Sequence, residues 1–218
     1  MSLSKRLIST DAAGGADGST NFAPVIWTGT GASQSISSLS FAPDLIWVKQ
    51  RSGTRDHIIA DTVRGPSTNL NLLYPYGTFA ESTSVGSEFI RSIQSNGFTI
   101  GNHVYVSELN ETYVAWCWKG ASSTTAIASG TNGSNVISNL RANTDGGFSI
   151  VKFAALVAAS SIVSHGLSSA TELIIYKNLD TADNWYVYTS ATGLGKYLNL
   201  NTTGAVVTNA SNGFTSVN

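Results

Sequence analysis

Apolar and polar residues alternate along most of the chain, the pattern of strands with one face in a core and one in water. Residues 23–30 (Ala-Pro-Val-Ile-Trp-Thr-Gly-Thr), 33–39, 44–49 and 56–62 predict four strands. Pro43 launches the third, Arg51-Ser52-Gly53 stops it, and Arg64-Gly65-Pro66 breaks the fourth. Residues 69–73 are a further candidate. Residues 92–100 contain Ser95-Asn96-Gly97, a tight-turn signal. Residues 112–118 (Thr-Tyr-Val-Ala-Trp-Cys-Trp) are the most aromatic stretch and predict a strand buried on at least one face. The window 88–94 reads either as one helical turn or as a strand. No window longer than about ten residues keeps a helical period. Short strands with turn signals roughly every 8–12 residues predict an all-β fold, a β-sandwich or jelly roll.

The chain also repeats itself. Leu45-Ile46-Trp47-Val48-Lys49 matches Leu173-Ile174-Ile175-Tyr176-Lys177, and Asn69-Leu70-Asn71-Leu72 lies on Tyr197-Leu198-Asn199-Leu200, both at an offset of 128. Asp56-His57-Ile58-Ile59 falls on Asn184-Trp185-Tyr186-Val187 in pattern. Ser95-Asn96-Gly97-Phe98-Thr99 recurs identically as Ser211-Asn212-Gly213-Phe214-Thr215, at offset 116. Upstream, residues 24–27 pair loosely with 149–152. These matches predict two tandem related β-sandwich domains. An N-terminal arm (1–23) precedes copy 1 (24–120), and a shortened copy 2 (135–218) follows a small, polar linker (121–134). Strands are expected in copy 2 at 135–142 and 147–154. Copy 2 has no counterpart of the aromatic strand 113–118, so its sheet is expected to have an open edge, and open edges recruit strands. Another subunit or the arm segment 3–8 is the expected donor; the alternative is a smaller sandwich that never needed the strand.

Composition narrows the function. The chain has 218 residues, enough for a sizeable core without disulfides or metals. Charged residues make up 11%, where roughly 25% is usual. Ser, Thr, Asn and Gly take their place, so the surface is neutral and polar. A net charge of −1 lacks the basic footprint expected of a nucleic-acid binder. A hydrophobic content of 42% is too high for a disordered chain. No apolar run approaches the roughly 18–20 residues that span a bilayer, so no membrane insertion is expected. Lys5-Arg6 is followed by no apolar stretch, so no signal peptide is expected. A single cysteine, Cys117, excludes a disulfide framework and a multi-cysteine zinc site.

No motif predicts catalysis. His57, His103 and His165 are widely spaced, and neither His-Glu-x-x-His nor Gly-x-Ser-x-Gly occurs. Cys117 lies between Trp116 and Trp118, which predicts an inert buried thiol. No enzyme activity is therefore expected. Two binding candidates remain. Asn178, Asp180 and Asp183 offer hard oxygens in one loop that a Ca²⁺ ion could use, although Asx-rich turns arise for backbone reasons too. Trp185, Tyr186, Tyr188 and Tyr197, with Trp118 and the Tyr74/Tyr76 pair in copy 1, form the aromatic candidate. Alternate members of 185–188 must face opposite sides of a strand. The inward face is core; an outward aromatic face could stack on sugar rings or bury in a subunit interface.

Four stretches carry a resemblance. Phe41-Ala42-Pro43-Asp44-Leu45-Ile46-Trp47-Val48-Lys49-Gln50-Arg51, Asp61-Thr62-Val63-Arg64-Gly65, residues 95–101 (Ser-Asn-Gly-Phe-Thr-Ile-Gly) and residues 113–119 (Tyr-Val-Ala-Trp-Cys-Trp-Lys) resemble an uncharacterised domain of tailed-phage virion proteins, especially of phages of marine bacteria. The opening Ser4-Lys5-Arg6-Leu7-Ile8 is similar to the start of several such proteins. The resemblance covers residues 24–120 well and 146–218 more weakly, where Thr171-Glu172 replaces the Pro-Asp pair. It implies a lectin-like, concanavalin-type β-sandwich on the virion surface or tail, in a tail fibre or other appendage, and supplies no catalytic residues. The expected function is that of a virion structural protein acting by homo-oligomeric assembly, as a trimer or higher, and in host attachment. A glycan-binding adhesin and a capsid-decoration protein are the alternatives.

Overall fold

The computed structural model describes residues 18–83, 86–129, 136–154, 161–208 and 214–217. The arm segment 3–8 and the second Ser-Asn-Gly turn (211–213) lie outside the described residues. The fold is all-β and antiparallel. The strands are β1 (Phe22–Thr28), β2 (Gln34–Ile36), β3 (Leu45–Gln50), β4 (Ile58–Asp61), β5 (Leu72–Leu73), β6 (Ile90–Gln94), β7 (Gly97–Ile100) and β8 (Thr112–Trp118). They are followed by β9 (Thr125–Ile127), β10 (Ser138–Asn143), β11 (Phe148–Phe153), β12 (Leu173–Lys177), β13 (Trp185–Thr189), β14 (Lys196–Asn199) and β15 (Val207–Thr208).

The first half is a β-sandwich. A five-stranded sheet in the order β1-β8-β3-β4-β5 faces a three-stranded sheet in the order β2-β7-β6. Strict alternation explains the packing. On β8, Tyr113, Ala115 and Cys117 point inward and are fully buried, as are Ile46 and Val48 on β3. Phe98, Ile100 and Ile90 meet them from the other sheet, and all belong to one core cluster. Gly97 closes the β6–β7 turn at φ +155°, and a Cβ there would sit 1.8 Å from the Ile36 carbonyl oxygen, so no other residue fits.

Two expectations change, and one element arises where none was expected. The candidate strand 69–73 shrinks to β5, because the Asn69 and Leu70 N–H groups donate to the Arg91 and Ile90 carbonyls of β6 (2.7 and 2.9 Å) and leave the β4 ladder. The ambiguous window 88–94 holds the end of a short 3-10 turn (Gly86–Glu88) and then β6. One short helix, α1 (Val104–Ser107), forms where β-branched residues favour a strand. Tertiary contacts override that preference: Trp27 Nε1 donates to the Val106 carbonyl (2.8 Å) and the Tyr113 hydroxyl to that of Val104 (2.6 Å).

Residues 121–134 are not a bare linker. Within them β9 pairs with β10, which pairs with β11 in a three-stranded sheet. The halves also touch directly. Arg141 on β10 forms an ion pair with the buried Asp44, and Phe148 stacks on Trp118 at 5.8 Å. The remaining sheet has the order β12-β13-β14-β15.

The hairpins β3–β4 and β12–β13 correspond residue for residue. Leu45 pairs with Asp61 and Val48 with Ile58; 128 positions on, Leu173 pairs with Thr189 and Tyr176 with Tyr186. Each hairpin is closed by the same backbone bond, Thr62 N–H to Asp44 C=O (3.0 Å) and Ser190 N–H to Glu172 C=O (2.8 Å). Lys49 Nζ donates to the carbonyls of Gln50 (2.8 Å) and Gly53 (3.3 Å), and Lys177 Nζ to those of Asn178 (2.6 Å) and Thr181 (3.3 Å). The match stops at the next strand. Ile59 pairs with Leu73, which would place Asn201 opposite Val187, but Val187 pairs with Leu198. The Leu-Asn-Leu identity is therefore not kept in space.

The flanks differ too. β3 lies between β4 and β8, whereas β12 ends its sheet and no described strand pairs with its other edge. Leu173 and Ile175 there are 58% and 39% exposed, while their counterparts Leu45 and Trp47 are half-buried.

Candidate functional site: an aromatic loop braced by the second half

Residues 74–81 form a loop after β5, pinched at its base by Leu72 and Ser82, whose backbones exchange two hydrogen bonds of 3.0 Å. At its tip, Pro75 and Tyr76 occupy a turn in which the Gly77 N–H donates to the Tyr74 carbonyl (3.3 Å). A Cβ on Gly77 would lie 2.6 Å from the Phe79 ring, so the ring rests on bare backbone. Tyr74, Tyr76 and Phe79 then meet in mutual edge-to-face contact, with centroids 5.6–6.0 Å apart. Tyr76 is 37% and Phe79 52% exposed.

The second half holds this loop from below. Trp185 Nε1 donates to the Tyr74 carbonyl (3.2 Å), the Asp183 N–H to that of Thr78 (2.8 Å), and the Glu81 N–H to that of Leu179 (2.8 Å). Trp185 packs with Ile59 and Leu73 in a small cluster joined by Leu45, Trp47 and Leu179. Buried Arg64 bridges Asp61 and Glu81, tying the loop to β4.

Beside the aromatic rings, the Tyr105 hydroxyl donates to Asp56 Oδ2 at 3.4 Å. The Tyr76 hydroxyl lies against Tyr105, and burial with these neighbours raises its pKa. The histidines nearby serve the frame. His57 Nδ1 accepts from Trp47 Nε1 (2.9 Å), and His103 Nδ1 accepts the Tyr105 N–H at the start of α1 (3.2 Å) while stacking on Phe89 at 4.0 Å. Burial holds both imidazoles below the usual histidine value. The Cys117 thiol is pushed up to about 12 by burial, which removes its thiolate character.

The residues singled out from sequence are dispersed. Trp118 is held between Phe22 (4.9 Å) and Phe148, at the contact between the halves. Trp185 and Val187 face one side of β13 and Tyr186 and Tyr188 the other, as alternation requires. On that other side Tyr176, Tyr186 and Tyr197 form a row, with Phe153 stacked on Tyr176 at 5.7 Å. Tyr188 and Tyr197 are buried and Tyr186 half-buried, so the row is not an open platform. Two of the loop oxygens that the sequence offers as calcium ligands, on Asn178 and Asp183, are engaged in local bonds. Asn178 Oδ1 accepts from the Asp180 and Thr181 N–H groups, and Asp183 Oδ1 from the Asn184 N–H and the Tyr186 hydroxyl. Among the described residues no three His, Cys, Asp or Glu side chains converge in a metal-sized group. Of the aromatic residues that the sequence singles out, only Tyr74 and Tyr76 fall in the braced loop. Phe79 and Tyr105 carry no motif, and Asp56 stands out only as the start of the block matched to 184–187; the Pro75-Tyr76-Gly77 turn between aromatics is the available signal.

Elsewhere, two shallow polar depressions of about 490 and 350 Å³ share Ser87 and Arg91. Arg91 Nη1 bonds Ser33 Oγ there (3.0 Å).

No curated protein and no solved structure matches this chain. A family model described as a domain of unknown function, DUF7483, matches residues 17–217, running through both halves and the sheet that joins them. The chain therefore belongs to the DUF7483 family.

Proposed function

We propose that the protein is a structural subunit of a phage particle, at the virion surface or tail, that works by assembling with copies of itself and not by catalysis. The observation that carries this reading is the edge of β12 with which no described strand pairs. Its twin β3 has the same register and hairpin closure, and β8 covers it. On β12, the strand at the end of its sheet, Leu173 and Ile175 lie exposed on one face. An apolar strand edge of this kind pairs with another chain unless it is blocked, and a strand from a second copy supplies the missing ladder. The resemblance to tailed-phage virion domains supports the particle location, and the neutral polar surface suits a subunit with no nucleic-acid partner.

Mass measurement of the purified chain by light scattering tests the assembly, and mass spectrometry of purified particles tests the location. The expected result is a homo-oligomer, a trimer or higher, present in particles. A monomer absent from particles overturns the reading. A glycan-binding role has its own observation, the braced aromatic loop.

A further inference from the structure

We infer that the loop tip at Tyr76 and Phe79, with Asp56 and Tyr105 beside it, is a binding site for neutral hexopyranose residues of a glycan. This goes beyond the assembly proposal and holds whether or not the chain oligomerises.

A pyranose ring has one face of C–H groups and an equator of hydroxyls. A site for it needs exposed aromatic surface with hydrogen-bonding groups at the edge. The loop supplies both. Phe79 is half exposed on the Gly77 backbone, and Tyr76 is set edge-to-face against it. At the margin stand the Tyr76 and Tyr105 hydroxyls and the Asp56 carboxylate. Asp56 Oδ1 has no hydrogen-bond partner among the described residues, so it is available to accept from a sugar hydroxyl. An apolar protein partner fits this margin poorly, because it would bury the carboxylate without satisfying it.

The site is also pre-organised. Pro75 fixes the turn, Leu72 and Ser82 pinch the base, and three hydrogen bonds from residues 179–185 clamp the loop. A ligand therefore does not have to order it, which lowers the cost of binding. Tyr74 packs against the main core cluster, whereas the surface of Tyr76 and Phe79 left exposed at the clamped tip adds little to that core. Ligand contact gives it a use that stability does not.

The test is saturation-transfer NMR and titration calorimetry of the whole chain. The probes are methyl hexopyranosides of the gluco, galacto and manno series and neutral tri- to pentasaccharides built from them. At least one probe is expected to bind. Phe79→Ala should weaken binding at least about tenfold, and Asp56→Asn and Tyr76→Ala about fivefold or more, with melting temperature and oligomer mass unchanged. Leu109→Ala, at an exposed apolar residue outside the loop, should bind like the unaltered chain. No binding by any probe overturns the inference, as does binding that survives both Phe79→Ala and Asp56→Asn. A protein partner lost on Phe79→Ala, with no saccharide effect, overturns it in favour of a protein interface. If Phe79→Ala lowers the melting temperature, Asp56→Asn decides, because it leaves the rings in place.

Discussion

The hairpins β3–β4 and β12–β13 share register, closing bond and lysine clamp, yet one sits inside a core and the other on a rim. The first is covered on its inner face by the β2-β7-β6 sheet and on its edge by β8. The second is flanked by β14 on its β13 side, but no described strand pairs with its β12 edge, and its largest contribution to a cluster is Trp185, which it lends to the first half. Among the described residues, the largest fully buried side chains all lie between Pro43 and Cys117, whereas exposed Leu173, Ile175, Leu194 and Val206 lie in the second half. A hairpin's sequence thus sets its own pairing, while burial depends on what the rest of the chain places around it.

The contrast can be broken most forcefully at its stable end. Arg64→Ala strands Asp61 and Glu81 in buried positions and is expected to cost about 3–5 kcal/mol in urea unfolding. The matching position opposite Leu173 is Thr189, which carries no such pair. Phe98→Ala empties a fully buried site and should cost about 3–5 kcal/mol, whereas Phe214→Ala, its sequence twin, should cost under about 1.5 kcal/mol because Phe214 is half-buried on Tyr188. Equal losses would show that both halves have comparable cores.

Trp185→Ala probes the join. It removes the ring that packs with Ile59 and Leu73 and is expected to cost about 3 kcal/mol. Limited proteolysis should then cut the second half while the first stays intact. Simultaneous digestion would mean the halves unfold as one unit.

Acid sharpens the same contrast more gently. His57 and His103 have folded pKa values below the unfolded value of about 6.5. Their contribution is complete above that value and is lost as pH falls through the folded values. The loss should stay below about 1 kcal/mol, since both rings are partly solvated. The double variant His57→Gln, His103→Asn keeps an acceptor at both sites and should flatten the urea midpoint between pH 7 and 5. The smallest effect on stability is expected from Ile175→Lys, within about 0.5 kcal/mol. That substitution places a charge on the β12 edge and should shift the light-scattering mass toward monomer.

Much of the fold was legible in the chain. Alternation located β8 to the residue, and Pro43 with the Arg51-Ser52-Gly53 turn located β3, because both features act within a few residues. α1 was not legible: Val104 and Val106 favour extended backbone, and hydrogen bonds with Trp27 and Tyr113 reverse that preference. β9 was not legible either, since three residues of a small polar stretch become a strand only by pairing with β10. For the candidate site, Tyr74 and Tyr76 could be named from composition, but Asp56 and Tyr105 come from segments roughly 20–30 residues away on either side. No spacing rule brings them to one loop tip.

What the sequence by itself determined is local: period-two alternation, the turns, a neutral polar surface, and the shared hairpin at offset 128, all settled by sterics and solvation between near neighbours. Only the tertiary structure decided which hairpin is covered, that Trp185 and Trp118 join the halves, and that the aromatic tip is clamped from below. Those outcomes depend on the burial of surfaces far apart in the chain, where packing is shared among segments and no single segment encodes it.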